Sequence, residues 1–309
     1  MKNVVIGTLF ALLLFSMDGA AQAPADGAQQ HRFRSAADVV TIQASVRDHR
    51  GRSMRGLTAK DFEVLDNGQP RPILSLRGDA GAPVSLAILV DTSGSMRAGL
   101  KMGMARQAVD SVVAQLRQGD DEVAVFTFDS SLRQELPFTT ELARVQGSLD
   151  GIEPFGSTSL FDATAATARK LAERAGTRKA IVVLTDGVDT SSKLSAPEVS
   201  GLAASIDVPV YVVATVPNLD QRAMMESIDR TRRSTAGDLR DLAEWTGGHL
   251  AFASTPTETV ATAASLVQEL RQRYILAIEA AGVREWRRLE VRVRQPSTTV
   301  KARSGYFGG

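Results

Sequence analysis

Asp91, Ser93 and Ser95 form a D-x-S-x-S motif that could bind a metal ion. Their spacing places one carboxylate and two hydroxyls on the same side of a tight turn, and Gly94 lets the backbone come close. Hard oxygen donors of this kind suit Mg²⁺, Mn²⁺ or Ca²⁺ rather than zinc or copper. For so short a motif, a polar loop that caps a helix is the alternative interpretation.

The residues before this motif predict where it lies in the fold. Residues 84–90 are an apolar run apart from Ser85, which is typical of a central parallel strand. Open α/β sheets bind ligands beyond the carboxyl ends of their strands. We therefore expect the motif to lie in a loop where a site can form.

Two further polar loops are expected at strand ends. Gly156 and Thr158 precede a predicted helix over residues 160–175, and Asp186 follows an apolar strand predicted over residues 181–184. A carboxylate at the end of a buried strand is costly unless a cation or hydrogen bonds compensate its charge. The order D-x-S-x-S, G-x-T and T-D-G resembles the von Willebrand factor A domain. The three motifs match all five ligand positions of that family's metal-ion-dependent adhesion site.

The resemblance implies a role for each of the five residues. Ser93, Ser95 and Thr158 would supply hydroxyl ligands, whereas Asp91 and Asp186 would act directly or through water. With only two anionic ligands the ion stays electrophilic, and in the family its free coordination position takes an Asp or Glu carboxylate from a partner protein. We therefore expect a protein-binding adhesion or interaction module that depends on Mg²⁺, or alternatively on Mn²⁺ or Ca²⁺. The other candidate is a scaffolding protein of the cell envelope in which the ion only stabilises the loops.

The composition and the charge distribution exclude several classes of function. The chain has 309 residues, which indicates about two domains, and it has no cysteine, which excludes disulfides, thiolate metal sites and cysteine nucleophiles. A net charge of +1 argues against bulk electrostatic binding to nucleic acid. Residues 84–270 carry a net charge of −7, against +4 over residues 31–77 and +6 over residues 271–309. The acidic middle is therefore expected to be a separate module.

Alternating strands and helices predict a doubly wound, mostly parallel, Rossmann-like α/β domain over residues 84–272. The flanking segments, residues 36–80 and 273–309, alternate apolar and polar side chains as half-buried strands do. Neither flank has enough strands for a core of its own. We therefore expect both flanks to pack together as one β-sandwich-like domain, and two independent β appendages are the alternative.

The first residues predict export. Lys2 precedes an apolar run over residues 4–15 and small residues at 19–23, a pattern typical of a signal peptide over residues 1–21. This run is shorter than the roughly 20 residues that a membrane span needs, so no stable span is expected after cleavage. An uncleaved anchor is the alternative. Residues 22–35 are predicted to be a flexible leader, and the protein is expected in the periplasm or secreted.

Catalysis is not expected. The serines of the motif lack a G-x-S-x-G context, and a Ser-His-Asp triad would need His249, which we expect to be structural. Neither a P-loop lysine motif nor G-x-G-x-x-G occurs. A metallohydrolase with one Mg²⁺ would need a base near Thr158, and we find none. Asp129 and Asp189 lie near the loops and are expected to support the site or face solvent rather than ligate the ion.

The two flanks also resemble a group of known proteins. Residues 40–68 and 300–307 are similar to bacterial, notably acidobacterial, von Willebrand factor A-related proteins, so the resemblance covers nearly all of the mature chain. It implies an exported protein. The polar stretch over residues 217–238 departs from the common A-domain pattern. It is either a partner-specific loop or a solvated insertion.

Overall fold

Strands begin and end the part of the chain that the computed structural model describes, which comprises residues 39–78, 80–176, 178–187, 189–215 and 235–307. The strands in these ranges are β1 (Val39–Arg47), β2 (Phe62–Asp66), β3 (Gln69–Arg71), β4 (Ile73–Arg77), β5 (Val84–Asp91), β6 (Glu122–Phe128), β7 (Leu132–Thr139), β8 (Arg178–Thr185), β9 (Val210–Thr215), β10 (Leu250–Ala253), β11 (Tyr274–Glu279), β12 (Trp286–Val293), β13 (Thr299–Lys301) and β14 (Gly305–Phe307). The α-helices are α1 (Lys101–Val113), α2 (Leu160–Ala172), α3 (Ala196–Ser205), α4 (Thr235–Trp245) and α5 (Pro256–Arg271).

A six-stranded sheet with the order β10-β9-β8-β5-β6-β7 forms the middle of the structure. Strand β5 pairs in parallel with β6 and β8, and β9 and β10 continue the parallel pairing. All eight residues of β5 are buried, as expected for a strand covered by helices on both faces. Leu86 and Ile88 face the layer of α1 and α5, whereas Leu89 faces the layer of α2, α3 and α4. The prediction of a doubly wound, mostly parallel α/β domain is confirmed.

The flanking segments form two four-stranded antiparallel sheets, and each sheet combines strands from both flanks. One has the order β13-β1-β11-β4 and the other β14-β12-β2-β3. Strand β1 pairs with β11 from Val39 opposite Glu279 to Ala44 opposite Tyr274. One apolar cluster contains inward-facing residues of both sheets, among them Ile42. The structure therefore joins the two flanks around a shared core.

The sequence analysis missed three edge strands, which are β3, β7 and β14. Strand β7 pairs antiparallel with β6, and β14 pairs with β12. Strand β7 is only partly buried and contains Pro137, so its hydropathy pattern is weak. Proline cannot donate to a ladder and is tolerated on edge strands, which is the position of β7. The pairing with β6 has irregular register around Val125.

A buried polar cluster joins α5 to the antiparallel sheets. Glu269, near the end of α5, is 2% exposed and accepts hydrogen bonds from Arg47 of β1 at 2.5 Å and from Ser45 at 3.3 Å. Arg273, just after α5, donates to the hydroxyl of Tyr211 at 2.9 Å and lies 3.6 Å from Glu269. The last helix of the α/β part is thereby fixed to the first strand of the flanks.

Three expectations fall on residues outside the described ranges. They are the signal peptide over residues 1–21, the leader over residues 22–35 and most of the polar stretch over residues 217–238. Among the helices that the structure does describe, none has the length and apolar character required to cross a bilayer.

Candidate metal centre

Asp91 ends β5 at the carboxyl edge of the central sheet, where its side chain is fully buried. Its Oδ1 accepts a hydrogen bond from the backbone N–H of Ser93 at 2.8 Å, and its Oδ2 accepts one from the hydroxyl of Thr185 at 2.6 Å. Burial raises the pKa of Asp91 to about 6, and the charge of Asp186 adds to this rise while the hydrogen bonds oppose it. The carboxylate is therefore oriented by its neighbours, and a nearby cation would favour its ionised form.

The turn after Asp91 brings two hydroxyls together. The Oγ atoms of Ser93 and Ser95 lie 3.1 Å apart at the start of the 3-10 turn Gly94–Arg97. Met96, on the same turn, is fully buried in the core between the sheet and α1. Its burial anchors the turn, so the position of the two serines is set by packing as well as by backbone hydrogen bonds.

Thr158 lies on a loop that is bonded to the serine turn. The backbone N–H of Gly94 donates to the carbonyl of Gly156 at 3.0 Å, and a Cβ on Gly94 would lie 3.4 Å from that oxygen. Gly156 has a φ of +87°, which favours glycine. Thr158 itself is 3% exposed, and its N–H donates to the hydroxyl of Thr190 at 2.9 Å. The structure thus places the second motif beside the first.

Asp186 follows β8, the strand next to β5, and is 6% exposed. Its Oδ2 accepts a hydrogen bond from Nζ of Lys101 at 3.0 Å. Its Oδ1 is buried and has no hydrogen-bond partner within the described part of the chain. A buried carboxylate oxygen without a partner is costly, and it is an available ligand for a cation. The sequence analysis did not single out Lys101, although it lies only ten residues after Asp91 in the chain.

The other two acidic residues near these loops have structural roles. Asp189 accepts hydrogen bonds from the N–H of Phe161, in the first turn of α2, and from the hydroxyl of Ser192 at 2.6 Å. Asp129 forms an ion pair with Arg133 at 2.7 Å, and its backbone carbonyl accepts from the N–H of Ser159. The carboxylate of Asp189 and the backbone carbonyl of Asp129 therefore hold the loops in place.

His249 lies away from the serine motif. It immediately precedes β10, at the amino end of a parallel strand, whereas Ser93 follows the carboxyl end of β5. Its ring packs edge-on against Tyr211 and its Nδ1 lies 3.6 Å from Oε2 of Glu269. The amino and carboxyl ends of parallel strands lie on opposite sides of the sheet. His249 is therefore not placed to act as a base for Ser93.

The residues of the candidate site fit a hard divalent ion. They provide two carboxylates and three hydroxyls at one edge of the sheet, and one carboxylate oxygen has no other partner. Oxygen donors alone are typical of Mg²⁺, Mn²⁺ and Ca²⁺ sites. Within the described ranges, no group of three or more His, Asp or Glu side chains could hold a metal. The assignment of Asp91, Ser93, Ser95, Thr158 and Asp186 as ligands stays a prediction.

The fold and the site together define a Rossmann-like α/β domain with an oxygen-lined loop site. Residues 86–188, which contain all five candidate ligands, match the family model of the von Willebrand factor type A domain. This region of the chain is therefore similar to the von Willebrand factor type A domain. Domains of this family are typically interaction modules without catalytic activity. No curated protein matches the sequence.

Several solved structures are similar to this chain. Proximal thread matrix protein 1 from the mussel byssus, in a structure with a zinc-occupied MIDAS motif, is similar with a TM-score of 0.51 and 16% identity over 66% of this chain and 49% of that one. The von Willebrand factor type A protein from Catenulispora acidiphila has a TM-score of 0.49 and 12% identity over 87% of this chain and 73% of that one. BatB from Bacteroides thetaiotaomicron has a TM-score of 0.48 and 18% identity over 60% of this chain and 98% of that one. At 16% identity, the likeness to the mussel protein concerns the fold alone.

Proposed function

We propose that this protein is a divalent-cation-dependent protein-binding module. Asp91 and Asp186 would bind the ion directly or through water, and Ser93, Ser95 and Thr158 would donate hydroxyl oxygens to it. Mg²⁺ is the first choice and Mn²⁺ or Ca²⁺ are the alternatives, because all the donors are hard oxygens. The observation that carries this proposal is the buried Oδ1 of Asp186, which lacks a hydrogen-bond partner in the described ranges.

The proposed partner is a protein that offers an Asp or Glu carboxylate. A bound divalent ion would supply an electrophilic centre with a position free for that carboxylate. The chain's own groups would orient the site: Thr185 and the N–H of Ser93 fix the two oxygens of Asp91, and the buried Met96 fixes the serine turn. Phe155, on the loop before Thr158, is 74% exposed and would offer apolar contact at the rim.

Export is part of the proposal. The pattern of Lys2, the apolar run over residues 4–15 and the small residues at 19–23 supports a cleaved signal peptide and a periplasmic or secreted location. Amino-terminal sequencing of the protein recovered from the periplasm or the medium tests this. A mature chain that begins at residue 22 is the expected result, and retention of Lys2 would contradict cleavage.

A scaffolding role is the second candidate, and one observation favours it. The serine turn and the Thr158 loop are already joined by the hydrogen bond from Gly94 to Gly156, and Lys101 already neutralises Asp186. The loops therefore have support that does not depend on a metal. In a scaffold the ion would raise stability without recruiting a carboxylate.

Thermal unfolding in EDTA, Mg²⁺, Ca²⁺ and Mn²⁺ tests the metal site first, with Asp91→Ala as the site variant. An ion that binds only the folded state raises the free energy of unfolding by about 2.7 kcal/mol at 100 times its Kd. We expect a rise specific to divalent ions that Asp91→Ala removes. No shift with any ion would reject a divalent-dependent function of the wild-type protein.

Binding of Glu-containing peptides, measured by calorimetry in Mg²⁺ and in EDTA, then separates the two candidates. An interaction module binds such a peptide only in Mg²⁺, and a matched Gln peptide does not bind. Metal-dependent stability without any carboxylate binding would instead support the scaffold.

A further inference from the structure

Lys101 lies inside the candidate metal centre. It is the first residue of α1, and its Nζ is 3.0 Å from Oδ2 of Asp186 and 3.4 Å from the carbonyl oxygen of Ser95. The side chains of Lys101 and Asp186 are 22% and 5% exposed, so this ion pair is largely removed from solvent. The ammonium therefore contacts both a proposed ligand and the backbone of the turn that carries two others.

The position of Lys101 differs from that of Arg97, the cation on the serine turn. Arg97 donates to the carbonyl of Pro154 at 2.9 Å and is thereby used to fix a neighbouring loop. Lys101 instead contacts Asp186, whose other oxygen has no hydrogen-bond partner in the described residues. Lys101 thus pairs with Oδ2 of this carboxylate, and Oδ1 has no hydrogen-bond partner in the described residues.

We propose that Lys101 is a tethered counter-ion that competes with the divalent ion for Asp186. This inference rests on the proposed metal site. A bound divalent ion and the ammonium would repel each other strongly at such short range and low solvent exposure. The ammonium must therefore move away from Oδ2 of Asp186 before a divalent ion can bind this carboxylate. Lysine has a flexible four-carbon stem, and from the half-buried start of α1 its ammonium can turn into solvent.

The competition lowers the apparent metal affinity. If the site is open to metal in only a fraction of molecules, the apparent Kd rises in inverse proportion to that fraction. Lys101 also favours divalent over monovalent ions, because a monovalent cation that replaces the ammonium adds no positive charge at Asp186. The protein therefore keeps Asp186 neutralised without metal and responds to divalent ions at a higher concentration than an unblocked site would.

Calorimetric titration of Mg²⁺ and Mn²⁺ into the full-length protein tests the proposal. The variants are Lys101→Met, which removes the charge, Lys101→Arg, which keeps it, and Lys170→Met, which removes an exposed lysine on α2 as a matched control. We expect Lys101→Met to bind both ions about tenfold more tightly than the wild-type protein, which corresponds to an open fraction of about one tenth. Lys101→Arg and Lys170→Met are expected to stay within about twofold of wild type, well below that change.

The possible failures can be told apart. Equal or weaker metal binding by Lys101→Met would overturn the role of Lys101 and leave the metal site in place. Absence of binding by every variant would overturn both proposals. Binding by Lys101→Met alone would support competition and show that the wild-type site is closed.

A second measurement tests whether Lys101 and Asp186 form an ion pair without metal. In EDTA, a double-mutant cycle of Lys101→Met and Asp186→Asn on unfolding by urea should give a non-zero coupling. A coupling of zero would overturn the proposal independently of any metal titration.

Discussion

The hydroxyl of Thr185 lies 2.6 Å from Oδ2 of Asp91, although the two residues are 94 positions apart in the chain. Thr185 ends β8 and Asp91 ends β5, and these strands are parallel neighbours with Val90 opposite Leu184. The two ends therefore meet at one edge of the sheet. This hydrogen bond holds the second oxygen of Asp91, while the N–H of Ser93 holds the first.

Replacement of Thr185 by valine keeps the shape of the side chain and removes the hydroxyl. That hydroxyl donates to Asp91 and also accepts from the N–H of Gly187 at 3.0 Å. Buried groups left without a partner cost about 1–3 kcal/mol, so Thr185→Val should lower the free energy of unfolding by that amount. Urea unfolding in EDTA measures this loss. Thr185→Ser keeps the hydroxyl as the control, and equal stability of the two variants would contradict the role of this bond.

Asp186→Ala should abolish divalent binding and leave the fold largely intact. The residue follows a buried strand and carries the carboxylate oxygen without a hydrogen-bond partner in the described ranges. Calorimetry with Mg²⁺ measures the binding, and circular dichroism checks the fold. Asp110→Ala removes an exposed carboxylate from α1 and serves as the control. A Mg²⁺ affinity equal to that of wild type would remove Asp186 from the site.

Acid should destabilise the protein through His249. Burial lowers the pKa of His249 from 6.5 to about 4; Glu269 opposes this shift, and the charges of Lys301, Arg47 and Arg273 add to it. Glu269 lies 3.6 Å from the imidazole, but it is already paired with Arg47 and Arg273, so it favours the charged form of His249 only weakly. The imidazole is therefore neutral in the folded protein at pH 7.

The sign of the pH effect follows from this lowered pKa. Between pH 6.5 and about 4, the unfolded chain binds a proton at His249 that the folded protein does not, so stability is full above pH 6.5 and falls as the pH drops. The loss is about 3 kcal/mol at most. Urea unfolding at several pH values should show a shallower acid loss for His249→Gln than for wild type. His49→Gln, at an exposed histidine, is the control, and parallel profiles for His249→Gln and wild type would contradict the prediction.

Glu269→Ala should strongly destabilise the protein. Glu269 is 2% exposed and pairs with Arg47 of β1 and with the fully buried Arg273. Removing one partner of a buried pair leaves an uncompensated charge and typically costs about 3–5 kcal/mol. Urea unfolding at pH 7 measures the loss, with Glu173→Ala at an exposed site as the control. A loss no greater than that of the control would show that the cluster does not fix α5 to β1.

An engineered disulfide tests whether the two flanks pair in solution. Thr41 of β1 lies opposite Ala277 of β11, and the natural chain has no cysteine that could compete. Opposed residues on antiparallel strands have Cα separations of about 4.5–5.5 Å, which a disulfide can span. Thr41→Cys with Ala277→Cys should therefore oxidise in air, as mass spectrometry and thiol titration would show. Thr41→Cys with Glu290→Cys, which places the second thiol on the other sheet, should stay reduced.

Free thiols in the first pair would mean that β1 does not pair with β11. The flanks would then be the independent appendages that the sequence also allowed. The sequence also predicts domain boundaries at residues 80, 84 and 272. This disulfide does not test those boundaries.

The sequence alone determined the α/β architecture and the candidate ligand set. Residues 84–90 are apolar except for Ser85 because β5 is covered on both faces, and that run also placed Asp91 at a strand end. The motifs with Ser93, Thr158 and Asp186 were visible because each is local in the chain. Local patterns of this kind carry periodicity and turn chemistry, and they are sufficient for strands, helices and loop sites.

Only the tertiary structure decided which distant groups meet. Lys101 and Asp186 are 85 positions apart, and Glu269 and Arg47 are 222 positions apart. Neither pair has a spacing that a periodic pattern can reveal, because each distance is set by how α1 and α5 pack against the sheets. The weakly patterned edge strand β7 was missed for a related reason, since its place is fixed by pairing with β6 rather than by its own hydropathy. Residue types and their order in local motifs therefore predict the candidate ligands of an ion. Packing decides which charged side chains, such as Lys101, lie beside those ligands.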